Sequence, residues 1–172
     1  MRLLIVSDAW APQVNGVVTS LRALVVELEL LGHEVGVLSP QDFRTLPCPG
    51  YAAIPLAWDV WTVAAKIRAF APDAVHLATE GPLGWAARHW LKRQGQAFST
   101  AIHTRFPEYV SGRWSWIPLG WGYAWLRAFH RPRLELLDRV GLFFEQFLVG
   151  YQACAAEQHA FVICRTALGE PE

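Results

Sequence analysis

Four groups of residues in this chain have the types and spacing to do chemistry. Asn15-Gly16 follows an apolar run and opens a helical pattern, so backbone N–H groups at a helix start, with no Cβ at Gly16 to keep a ligand away, can meet a pyrophosphate. Read structurally, the same pair is a turn and a helix cap. Thr79-Glu80-Gly81-Pro82-Leu83-Gly84 carries a carboxylate, Glu80, able to accept hydrogen bonds from a bound hydroxyl. Its structural reading is again a helix start, with threonine near the cap and proline in the first turn. His103 directly follows another apolar run, where an imidazole can donate a hydrogen bond or move a proton near neutral pH. Arg105 has the planar fork that suits phosphate or sulfonate, or a salt bridge to Glu108.

These groups need a scaffold, and the hydrophobic pattern supplies one. Leu3–Val6, Glu34–Leu38, Tyr51–Leu56, Ala74–Ala78 and Ala97–Ile102 read as strands; Val17–Leu31, Asp59–Phe70, Pro82–Gln94 and Leu119–His130 read as helices; residues 40 to 50 read as loop. Strands alternating with helices predict an α/β fold, a Rossmann-like parallel sheet with helices on both faces. Ligands then bind beyond the carboxyl ends of the strands, at the loops Ser7–Gly16, Thr79–Gly84 and His103–Trp116.

Composition narrows the classes of function. Fifteen acidic and fifteen basic residues leave no net charge, which argues against nucleic acid as a partner. Cys48, Cys154 and Cys164 form neither a disulfide framework nor a zinc pattern and point to a reducing cytoplasm. The spacing of His33, His76 and His89 suits structural or solvated roles, and no protein-bound metal is expected. The absence of G-x-G-x-x-G argues against a dinucleotide site. Leu21–Leu31 and Val140–Gly150 are interrupted by glutamates and fall short of the roughly 20 apolar residues of a membrane span. A soluble or peripheral protein with one main domain is expected.

Two longer strings, Pro12-Gln13-Val14-Asn15-Gly16-Val17-Val18 and His103-Thr104-Arg105-Phe106-Pro107-Glu108-Tyr109, resemble the N-terminal, acceptor-side half of a glycosyltransferase of family 4. The family has a similar Glu-Gly-Pro-x-Gly segment, here Glu80 to Gly84. The likeness is to lipid and glycan mannosyl- and sulfoquinovosyl-type transferases and runs from Arg2 to Pro132, so 1–132 is expected to be the glycosyltransferase domain. It implies one half of a GT-B enzyme: a retaining, metal-independent transfer of a sugar from a nucleotide-sugar donor to a lipid or glycan acceptor, with no cofactor. It implies that Gly16 and Asn15 meet the donor diphosphate, that Gln13, Glu80 and Arg105 face the acceptor, and that His103 is the catalytic residue beside the transferred sugar. It also leaves open peripheral contact with the inner face of the membrane. Trp114, Trp116, Trp121, Tyr123 and Trp125 suit a lipid interface, although packing of a wide core helix more often explains such a cluster.

The resemblance ends at Pro132. Residues 133–172 are expected to form a divergent helical tail, with Arg133–Phe147 as its clearest helix. Two explanations follow. A frameshift or premature stop removes the donor-binding domain and leaves a half that is inactive alone. Alternatively, the tail belongs to a short protein, covers a sheet edge, and serves a non-catalytic binding or regulatory module or the partner of a separate donor domain.

Overall fold

The computed structural model describes residues 1–49, 51–101 and 118–130. His103, Arg105, Trp114, Trp116 and the tail expected from Arg133 lie outside the described residues. The chain runs β1 (Arg2–Val6), α1 (Gly16–Leu30), β2 (Glu34–Leu38), β3 (Thr45–Cys48), β4 (Tyr51–Ala57), α2 (Val63–Phe70), β5 (Ala74–Leu77), α3 (Pro82–Gln94), β6 (Phe98–Thr100) and α4 (Leu119–His130). Short 3-10 turns occupy Pro40–Asp42 and Val60–Thr62, so the helix expected from Asp59 starts with a tighter turn.

β2, β1, β5 and β6 form one parallel sheet in that order. Alternation along β1 divides the core into two layers. Leu3 and Ile5 pack with Leu21, Leu24 and Leu28 of α1, whose spacing keeps these side chains on one helical face. Leu4 and Val6 point the other way, into a larger cluster with Ile67 of α2, Leu83, Ala87 and Leu91 of α3, and Phe129 of α4. Helices therefore cover both faces, as the sequence pattern predicts.

One expectation is corrected. Tyr51–Leu56 is not a strand of the parallel sheet, and residues 40 to 50 are not all loop. β3 and β4 instead form a separate antiparallel hairpin, with Pro47 opposite Pro55. Proline brings no N–H to a ladder, so Pro55 bars β4 from an interior position in a sheet.

The strand order fixes where a ligand belongs. From β1 the chain crosses to β2 on one side, then returns through the hairpin and α2 to β5 on the other. The topological switch point lies between the carboxyl ends of β1 and β5.

Candidate functional site

Asp8, the second residue after β1, reaches across the switch point to the start of α3. Its carboxylate accepts hydrogen bonds from the Leu83 N–H at 2.9 Å, the Gly84 N–H at 3.3 Å and the Thr79 hydroxyl at 2.9 Å. The Asp8 N–H donates to the same Thr79 oxygen at 2.7 Å. The first turn of a helix has N–H groups without helical partners, and here a carboxylate from a neighbouring strand satisfies two of them. Burial pushes the Asp8 carboxyl above its ordinary value; the hydrogen bonds oppose the rise, and the nearby charge of Glu80 adds to it. Glycine is required on both sides: a Cβ at Gly81 would overlap the Asp8 carboxyl, and one at Gly84 would overlap the Thr79 carbonyl oxygen.

The start of α1 is built differently. Asn15 is its N-cap, with Oδ1 accepting from the Val18 N–H at 3.0 Å. The cap is neutral, and a Cβ on Gly16 would meet nothing within 4 Å. The structural reading of Asn15 as a cap is therefore correct, and the open space at Gly16 keeps this helix start accessible. Gln13 folds back in the same loop, where its amide receives a hydrogen bond from Asn15 Nδ2 at 3.4 Å.

Glu80 also sits at the switch-point edge, but it is turned inward rather than held free in a cleft. Its Oε1 lies 2.9 Å from His130 Nε2, and the other ring nitrogen of His130 lies 2.9 Å from the Thr100 hydroxyl. The His130 and Glu80 side chains are 6% and 12% exposed. Trp125 Nε1 donates to the Glu80 carbonyl at 3.4 Å, so α4 holds the residue by backbone and side chain. α4 is in turn fastened to α3: Arg88 donates from Nε to the Phe129 carbonyl and from Nη2 to the Ala128 carbonyl, both at 2.6 Å. A cation at a helix C-terminus satisfies carbonyls that the helix leaves open. Burial lowers the Arg88 guanidinium from its ordinary value.

The structure thus brings Gln13, Asn15, Gly16 and Glu80 to the carboxyl ends of β1 and β5. Sequence reasoning overlooked Asp8 and His130. Asp8 has a signal, a carboxylate at a strand end facing the Pro82 helix start; His130 has none, because its partner is 50 residues away. Of the other histidines, His76 is buried with Nδ1 2.9 Å from Ser99 Oγ, and His89 is exposed on α3. The described members of the aromatic cluster do not fill a core: Trp121, Tyr123 and Trp125 are exposed, and α4 instead buries Leu126, Phe129 and His130. No helix among the described residues is long and apolar enough to cross a membrane.

In sequence, the chain has relatives among known proteins. The chain is 28% identical over 149 residues to a GDP-mannose-dependent alpha-mannosyltransferase of Mycobacterium tuberculosis, covering 76% of this chain and 39% of that protein. It is 32% identical over 126 residues to an alpha-monoglucosyldiacylglycerol synthase of Acholeplasma laidlawii, covering 64% of this chain and 31% of that one. The chain spans about two fifths of the length of the mannosyltransferase it matches. No solved structure matches it. The model of Glycosyltransferase Family 4 matches residues 14–140, and this chain belongs to that family.

Proposed function

We propose that this domain is the acceptor-side half of a GT-B glycosyltransferase, which in a metal-independent, retaining reaction moves a sugar from a nucleotide donor to a lipid or glycan acceptor. One observation carries the reading. Two helices start at the switch point; α3 already holds the Asp8 carboxylate, whereas α1 has a neutral cap and open space at Gly16. An incoming diphosphate is repelled at the first and finds N–H groups and a favourable dipole at the second. The acceptor hydroxyls are assigned to Gln13 and to the Glu80 carboxylate, whose Oε1 is already taken by His130. His103 and Arg105 follow β6 in sequence, and their roles beside the transferred sugar and an anionic acceptor rest on the His-Thr motif. The names of the relatives, which include a mannosyltransferase and a glycolipid synthase, support a sugar donor and a lipid or glycan acceptor. The exposed Trp121, Tyr123 and Trp125 support peripheral contact at the cytoplasmic face of a membrane.

The described residues supply one wall of a cleft, and transfer needs a second to hold the donor and exclude water. A non-catalytic binding module with the same ligands is the second reading for that reason; acceptor binding without turnover would identify it. The direct test is titration of the full chain with GDP, following backbone amides by NMR. Saturable shifts at Gly16, Val17 and Val18 are expected, together with at least tenfold weaker binding by Gly16→Val at unchanged thermal stability. Equal binding by Gly16→Val, or shifts centred on α3, would overturn the assignment.

A further inference from the structure

We infer that His130 is a positioning residue for Glu80, fixing its carboxylate at the switch-point edge so that the second oxygen receives a hydroxyl of the sugar acceptor; this rests on the acceptor role proposed for Glu80. Both ring nitrogens of His130 are engaged, Nδ1 with Thr100 Oγ1 and Nε2 with Glu80 Oε1, each at 2.9 Å. The imidazole therefore cannot turn without losing a buried hydrogen bond. Its backbone is held in place as well, because Arg88 grips the carbonyls of the two preceding residues, Ala128 and Phe129. The loop bearing Glu80 is anchored on its other side by Thr79, which bonds to Asp8. Glu80 Oε1 is thereby committed, and Oε2 has no hydrogen-bond partner among the described residues.

A hydroxyl, an imidazole and a carboxylate in one chain of hydrogen bonds resemble the parts of a nucleophilic triad. Thr100 is only 6% exposed, so no substrate reaches its hydroxyl, and the same groups are better suited to orienting the carboxylate. Oε2 of an oriented carboxylate accepts from a polyol without first giving up side-chain freedom, which is the advantage of preorganisation.

Two isosteres of imidazole separate this role from simple packing. Asn in place of His130 keeps an amide near the Nδ1 position and Thr100; Gln reaches the Nε2 position and Glu80. The full chain, labelled with 13C at glutamate carboxyls, is titrated with monooctanoyl glycerol below its micelle concentration. Glu80→Gln is expected to weaken binding about tenfold, the usual range for a hydrogen bond to a charged group. His130→Asn is expected to match that loss and to move the Glu80 carboxyl resonance, and His130→Gln to restore both, with binding within threefold of the parent. His130→Asn binding like the parent, or His130→Gln binding no better than His130→Asn, overturns the inference. If the parent does not bind this probe, the acceptor role assigned to Glu80 is what fails, and the resonance decides the rest. Movement in His130→Asn with recovery in His130→Gln supports positioning, and an unmoved resonance overturns it.

Discussion

Replacing Asp8 by alanine should damage the domain through the start of α3, although residue 8 belongs to a different loop. The substitution removes the acceptor of the Leu83 and Gly84 N–H groups, both on residues with buried side chains or none, and of the Thr79 hydroxyl. An ordinary N-cap lost to alanine costs about 1 kcal/mol and up to 2, and each buried donor left unpaired costs about 1–3 kcal/mol. The two backbone donors would then give about 2–6 kcal/mol, but removing a carboxylate that burial disfavours offsets part of this. The net expectation is a loss of about 2–3 kcal/mol, or roughly 10 °C in Tm for a domain of this size. Urea unfolding followed by far-UV circular dichroism measures it directly, and Asp8→Asn is the control. Asparagine keeps one carbonyl acceptor and should lose about 1 kcal/mol. If Asp8→Ala unfolds within 0.5 kcal/mol of the parent at equal m-value, the carboxylate is not what secures α3, and the argument is wrong.

The same residue sets a pH dependence. The Asp8 carboxyl is raised above 3.8 in the folded state, so the folded protein keeps this proton where the unfolded chain has released it. Its contribution to stability is full below 3.8 and declines as pH rises through the raised folded value. The stability of the parent minus that of Asp8→Asn should fall across that window and flatten above it; a difference independent of pH contradicts the raised value. Gly84→Ala should cost about 2 kcal/mol or more, because its Cβ overlaps the Thr79 carbonyl oxygen and backbone has to move; an unchanged urea midpoint would count against the close approach. Arg88→Met keeps much of the packing and loses the two bonds to the end of α4, for about 2–3 kcal/mol. Amide exchange in residues 119–130 should accelerate more than in α1, and uniform acceleration would show that Arg88 does not act locally.

Much of the parallel sheet was legible because its signals are local. Leu3–Val6 is a short apolar run, Asn15 and Gly32 bracket α1, and Pro82 marks the start of α3; each appears where the pattern predicts. β3 was illegible because Pro47 and Pro49 read as loop, and only pairing with β4 makes Thr45–Cys48 a strand. The placement of Gly16 and Glu80 after strands was legible because strand ends are conspicuous. The actual state of Glu80 was not, since His130 arrives from a helix whose periodicity reveals its buried face but not which loop that face meets. Asp8 shows the same limit from the other side: a carboxylate after a strand is visible, while the amides that consume it are more than 70 residues away.

The hairpin places two prolines face to face, Pro47 against Pro55. Neither has an N–H to exchange, so this rung is a non-hydrogen-bonded pair, in which backbone groups point away from the partner strand. Both outer margins of the ribbon consequently lack an amide at the same level. A foreign strand laid along either margin would meet carbonyl oxygens with no matching donor, which makes registration with a neighbour unfavourable. The ribbon thus carries exposed Leu46 beside Pro47 at a margin poorly suited to pairing with another strand, while Ala57 at the end of β4 joins the main core.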